Sequence, residues 1–130
     1  ADVHTRLILY KRIANAENPP ELRELQVELI DSFGLLPDAV KLLFSVTELK
    51  LMAVPLGIVK IDAGAENGRL IFGTQPNVDP EAVIRLIQSA DGNYSLEGSE
   101  KMRFRLNMES PDKRLAAISG LLQKLSGKAD

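Results

Sequence analysis

The chain of 130 residues contains no cysteine. That excludes disulfides, a thiolate nucleophile and any zinc site built from cysteine, and it is compatible with a reducing cytoplasm. Long hydrophobic runs are also missing. None approaches the ~18 residues of a membrane span, and no signal peptide precedes the first helical pattern. Histidine is nearly absent. His4 stands alone, without a nucleophile or metal partner in sequence, and is read as a surface residue. The net charge of −2 gives no reason to expect strong nucleic-acid binding from the chain as a whole. Catalytic signatures are lacking too: there is no Walker-type phosphate loop, no GxSxG, and no GxGxxG after a strand.

What is present is a globular composition. Apolar residues make up 45% of the chain and charged residues 26%, enough to bury a core and too mixed for a disordered or membrane chain. The length fits one domain. The chain enters a helical pattern almost at once after Ala1, as an excised piece of a longer protein or a processed terminus would.

Residues 2–16 are expected to be helical, with Asp2 as N-cap and Val3, Leu7, Tyr10 and Ala14 at helical spacing. In "NPPELRELQVELIDSFG" Asn18 caps, Pro19 suits the first helical position, and Glu21 completes a capping box. Leu22, Leu25, Leu29 and Phe33 form its apolar stripe, and Gly34 is the expected left-handed stop. Pro37 starts a third helix that Pro55 must end or kink. Apolar residues from Val40 to Met52 cover most of its circumference, leaving only Lys41, Ser45 and Glu48 as a polar strip. Such a helix is expected at the centre of the fold, buried on more than one side.

After Gly57 the pattern changes. "GIVKIDAG" and "GRLIFGT" read as a hairpin around the loop 64–68. "VDPEAVIRLIQSA" reads as a helix capped by Asp79, with Val78 and Val83 placed for a hydrophobic staple. "NYSLEGSEKMRFRLNM" reads as a second hairpin turning near Gly98 and Ser99. In it Met102, Phe104 and Leu106 alternate with Lys101, Arg103 and Arg105. A last helix is capped by Ser110, carries Leu115, Ile118, Leu122 and Leu125, and stops at Gly127. The expected class is α+β: a helical N-terminal half packed with a small antiparallel sheet and two further helices. Residues 1–56 and 57–130 would each be marginal alone, so a single domain with one shared core is expected.

Two charged patterns could carry function. The basic strand face of Lys101, Arg103 and Arg105, with Lys113 and Arg114 nearby in sequence, is either a solvated strand face or a nucleic-acid-binding surface. The second pattern is acidic. On a wheel at ~100° per residue with Leu22 at zero, Leu25, Leu29 and Phe33 fall within roughly 60° of it. Glu21, Glu24, Glu28 and Asp31 fall between about 180° and 260°, on the far side, and Val27 lies beside Asp31 near 140°. Three readings are open: a solvated face, a catalytic carboxylate pair, or a docking surface for a basic partner. A catalytic pair would need one carboxyl in a pocket, and nothing in the pattern supplies one.

The combination "TRLILYKRIANA", "ELRELQVELIDSFGLLPD" and "LKLMAVPLGIVKI", in that order, resembles the C-terminal domain of bacterial transcription-repair coupling factors, the Mfd family. The resemblance covers the whole chain and is densest over residues 5–61. Ser32 is a departure, since the family commonly has arginine there. The resemblance implies a non-catalytic domain that folds back on a UvrB-like N-terminal module. Docked there, it masks the surface that recruits the repair protein UvrA and keeps the parent autoinhibited. It implies no cofactor in this domain. For the parent, an ATP-driven translocase on double-stranded DNA that removes stalled RNA polymerase, it implies ATP and magnesium. The two acids of the family's ELID motif, which face basic residues of the UvrB-like module, map to Glu28 and Asp31. Glu24 and Val27 are secondary candidates for the same contact.

Overall fold

The computed structural model describes residues 3–89 and 91–127. Asp2, expected as the first helix cap, lies outside them. The element order is α1 (Val3–Ala14), α2 (Pro19–Phe33), α3 (Asp38–Ala53), a 3₁₀ turn (Val54–Leu56), β1 (Ile58–Ala63), β2 (Asn67–Phe72), α4 (Pro80–Ile87), β3 (Tyr94–Glu97), β4 (Lys101–Arg105) and α5 (Pro111–Leu125). This is the α+β order that the sequence predicts. Contacts divide the chain into two compact units, Ala1–Leu51 and Met52–Asp130, with the boundary inside α3.

The first unit is helical. Asn18 caps α2 by accepting from the Glu21 N–H at 2.8 Å. The Glu21 carboxylate accepts from the Glu17 N–H at 3.0 Å, one residue earlier than a capping box places it. Leu22, Leu25 and Leu29 are buried with Ile13, Ala16, Leu36, Val40 and Phe44. Three expectations change here. In α1 the inward face runs through Leu9, Tyr10 and Ile13, whereas Val3 and Leu7 are exposed. Both stripes have helical spacing, so periodicity alone could not choose between them. Phe33 is 56% exposed, because α2 ends there and the chain turns away. Gly34 stops the helix with φ 80° and ψ −141°, outside the left-handed helical basin but still at positive φ. Its N–H donates to the Ile30 carbonyl at 2.8 Å.

Pro37 precedes α3 and offers its carbonyl to the N–H groups of Val40 and Lys41, each at 3.0 Å. The expected all-round burial of α3 is only partial. Val40, Phe44 and Thr47 are buried, but Leu42 and Val46 are 44% and 49% exposed. Buried Thr47 donates its hydroxyl to the Leu43 carbonyl at 2.8 Å, which satisfies the one fully buried polar residue among the described residues. Pro55 lies in the 3₁₀ turn after Ala53 and so ends the helix as anticipated. Gly57 follows at φ 80°, ψ 16°, where a side chain would be strained and would meet the Gln75 carbonyl.

The second unit is built on one antiparallel sheet of order β1-β2-β4-β3. The two hairpins join because β2 pairs with β4, Leu70 opposite Met102 and Arg69 opposite Arg103. One face buries Leu70, Met102 and Phe104 almost completely. Phe104 stands directly opposite Gly68, whose bare backbone its ring covers. Helix α4 is capped by Asp79, which accepts from the Glu81 N–H at 3.2 Å. Helix α5 is capped by Ser110, which accepts from the Lys113 N–H at 3.2 Å. Its buried stripe includes Leu121 beside Ile118, Leu122 and Leu125, while Leu115 is only half-buried. The Arg114 guanidinium donates to the carbonyls of Gly64 and Met108 at 3.1 and 3.2 Å, pinning the first hairpin loop to the start of α5.

Candidate functional site

The apolar stripe of α2 faces its unit's interior, so the opposite stripe faces solvent. Glu24, Val27, Glu28 and Asp31 are all exposed, Val27 at 59%. The helix therefore presents the four candidate residues together on one surface. Ser32 is exposed beside them, and with Arg23 they line a shallow depression of about 500 Å³.

Glu28 is not alone there. Arg12, on α1, grips it with two parallel bonds, Nη1 to Oε1 at 3.2 Å and Nη2 to Oε2 at 3.1 Å. Bidentate pairing of this kind is geometrically specific. It holds the Glu28 carboxyl below its ordinary value, first through the hydrogen bonds and then through the opposite charge, and it raises Arg12 in turn. The pair forms one wall of a second open groove between α1 and α2, about 480 Å³, lined also by Ile8, Lys11, Asn15, Glu21 and Glu24. Sequence reasoning missed Arg12. It lies in the quoted "TRLILYKRIANA", but only the packing of α1 on α2 brings it to Glu28, 16 residues away.

A general acid needs a carboxyl held above its ordinary range, and Glu28 is held below it. Among the described residues no group of three or more histidine, aspartate or glutamate side chains could hold a metal ion, and no helix is long and apolar enough to cross a membrane.

The basic strand is also more than its own three residues. Arg103 stands opposite Arg69 on β2, and both approach Glu97 of β3, at 3.0 and 3.8 Å from its Oε1. That oxygen is buried from solvent, and neither guanidinium meets it in hydrogen-bonding geometry. Among the described residues the Lys101 and Arg105 side chains form no ion pair.

The fold is that of a solved domain: "Crystal structure of C-terminal domain of transcription-repair coupling factor", with a TM-score of 0.73 at 19% identity, covering 98% of this chain and 85% of that one. Residues 1–83 match the family model for the TRCF domain. The transcription-repair-coupling factor of Haemophilus influenzae is 45% identical over 96% of this chain, and that of Escherichia coli K12 is 36% identical over 98%. The chain belongs to the transcription-repair-coupling factor family. It spans about 11% of the length of these two relatives.

Proposed function

We propose that residues 1–130 act as one non-catalytic, autoinhibitory interaction domain of a transcription-repair coupling factor. In this reading the domain docks on a UvrB-like module of its own parent chain and masks the surface that binds UvrA. The observation that carries the proposal is the solvent face of α2, where Glu24, Glu28 and Asp31 surround the exposed Val27. Oriented charges around a small apolar centre suit a polar, specific and releasable interface. ATP, magnesium, RNA polymerase and translocation along double-stranded DNA belong to other segments of the parent.

Arg12 refines the role of Glu28. A partner guanidinium arriving at this carboxylate must share it with Arg12 or displace it. The pair is half open to solvent, with side chains 45% and 53% exposed, so sharing needs little desolvation. Among the described residues Asp31 forms no ion pair, and it is the freer acceptor for a partner's cation. Tethering within one chain supplies an effective concentration in about the millimolar range when the linker suits the span. Weak contacts then suffice to hold the latch, and polymerase or DNA binding can release it by favouring the open state.

The test is the parent protein carrying Glu28→Ala and Asp31→Ala. Its UvrA binding and basal ATPase activity should both rise. Wild-type levels of both, with the domain still folded by circular dichroism, would remove Glu28 and Asp31 from the latch.

A further inference from the structure

The outer face of the sheet carries a second, separate pattern. Strand register puts Arg69 and Arg103 side by side on the central strands, on the face opposite the buried Leu70, Met102 and Phe104. Lys101 and Arg105 flank Arg103 two residues away on either side, and Lys60 lies across the sheet on β1. Against these five cations the face sets two acids, Asp62 and Glu97. Lys60 reaches Asp62 at 3.8 Å, and Glu97 is shared by Arg69 and Arg103.

Like charges directly opposite in a sheet are destabilising. Here the Arg69–Arg103 pair is relieved by one carboxylate approached by both guanidinium groups, and Lys101 and Arg105 on either side of it form no ion pair among the described residues. A local excess of three positive charges therefore sits on a chain whose net charge is −2. A polyanion would relieve that repulsion. We propose that this sheet face binds the phosphate backbone of double-stranded nucleic acid without reading its sequence. The proposal does not rest on the docking role of α2.

Three features select this occupant. Lys101, Arg103 and Arg105 recur at every second residue and span about 13 Å of strand. That row is long enough to lie along several consecutive phosphates of one strand. Second, four of the five cations sit on β2 and β4, the central strands, whose edges are already paired, so a peptide could not add there as a further strand. Third, the row opposite Phe104 on the buried side contains Tyr94, so neither ring lies on the outer face. Single-stranded nucleic acid is gripped largely by stacking on aromatic side chains, and this face offers none, which leaves the duplex backbone.

The test is fluorescence anisotropy of the 130-residue chain with a labelled 20-base-pair duplex across a salt series. Binding should be micromolar at low salt and should weaken steeply as salt rises. Lys101→Gln with Arg105→Gln should weaken it about tenfold and flatten the slope of log K against log salt by about 1.8, from ~0.9 for each lost phosphate contact. Glu97→Gln removes the internal competitor and should tighten binding about threefold or more, although it leaves the arginine pair unrelieved and lowers the melting temperature. Glu24→Gln, on α2, should change neither affinity nor slope. The proposal is overturned by no binding at low salt, by an unchanged slope in the double variant, by weaker binding of Glu97→Gln while it remains folded, by tighter binding of a single strand, or by equal binding of polyglutamate.

Discussion

Gly68→Ala tests whether the ring of Phe104 fixes the basic strand in place. Gly68 does not adopt a positive φ, so its backbone admits alanine, and restricting the unfolded chain would by itself stabilise by about 0.4–1 kcal/mol. The new methyl, however, would intrude on the Phe104 ring and come within 2.9 Å of the Asp62 carbonyl. Overpacking of this kind costs about 1–3 kcal/mol, so the net loss should lie between about 0 and 2.6 kcal/mol. Phe104→Leu empties part of the ring's space and should cost about 1–2 kcal/mol, below the ~3–5 kcal/mol of truncation to alanine. In the double variant the smaller side chain makes room for the methyl. The Asp62 carbonyl still obstructs it, so the rescue is partial, and the double variant should fall short of the sum of the singles by about 1 kcal/mol. Urea denaturation followed by far-ultraviolet circular dichroism measures this, with the midpoint moving and the slope unchanged. Additivity within about 0.3 kcal/mol would refute the claim that the ring covers Gly68.

Two further predictions concern the helices that carry the candidate site. Asn18→Ala leaves the Glu21 N–H without its cap and should destabilise by about 0.5–2 kcal/mol in the same urea experiment, whereas Asn18→Asp should lose little. The Arg12–Glu28 pair makes stability depend on pH. Because folding lowers the Glu28 value from 4.5, the pair's contribution is fully present above that value and is lost as the pH falls through the depressed folded one. Wild type should therefore exceed Glu28→Gln in melting temperature at about pH 7, and the difference should close in strong acid and shrink in about 1 M salt. A gap that persists in acid would mean that Glu28 acts through packing rather than charge.

The α+β element order, the helix caps at Asn18, Asp79 and Ser110, the stop at Gly34 and the outward turn of the α2 acids were legible in the sequence. Each depends on residues within a few positions of one another, where backbone hydrogen bonding and helical periodicity act directly. The family motifs are likewise short strings that survive without coordinates. Val3 and Leu7 misled because a helix can offer two apolar stripes, and only the neighbour it packs on decides which one is buried. Phe33 misled because a wheel does not know where its helix ends.

What tertiary structure alone decided is which charges meet. Arg12 reaches Glu28 across 16 residues because α1 lies against α2. Arg69 joins Arg103, and both converge on Glu97, because β2 pairs with β4 rather than remaining in a separate hairpin. Periodicity reports which way a side chain points from its own element. It carries no information about what stands opposite, since that depends on the burial of apolar surface summed over distant segments. The sequence by itself determined that α2 would show solvent a row of acids. The fold determined that one of them already holds an arginine and that the basic strand lies beside a second row of cations.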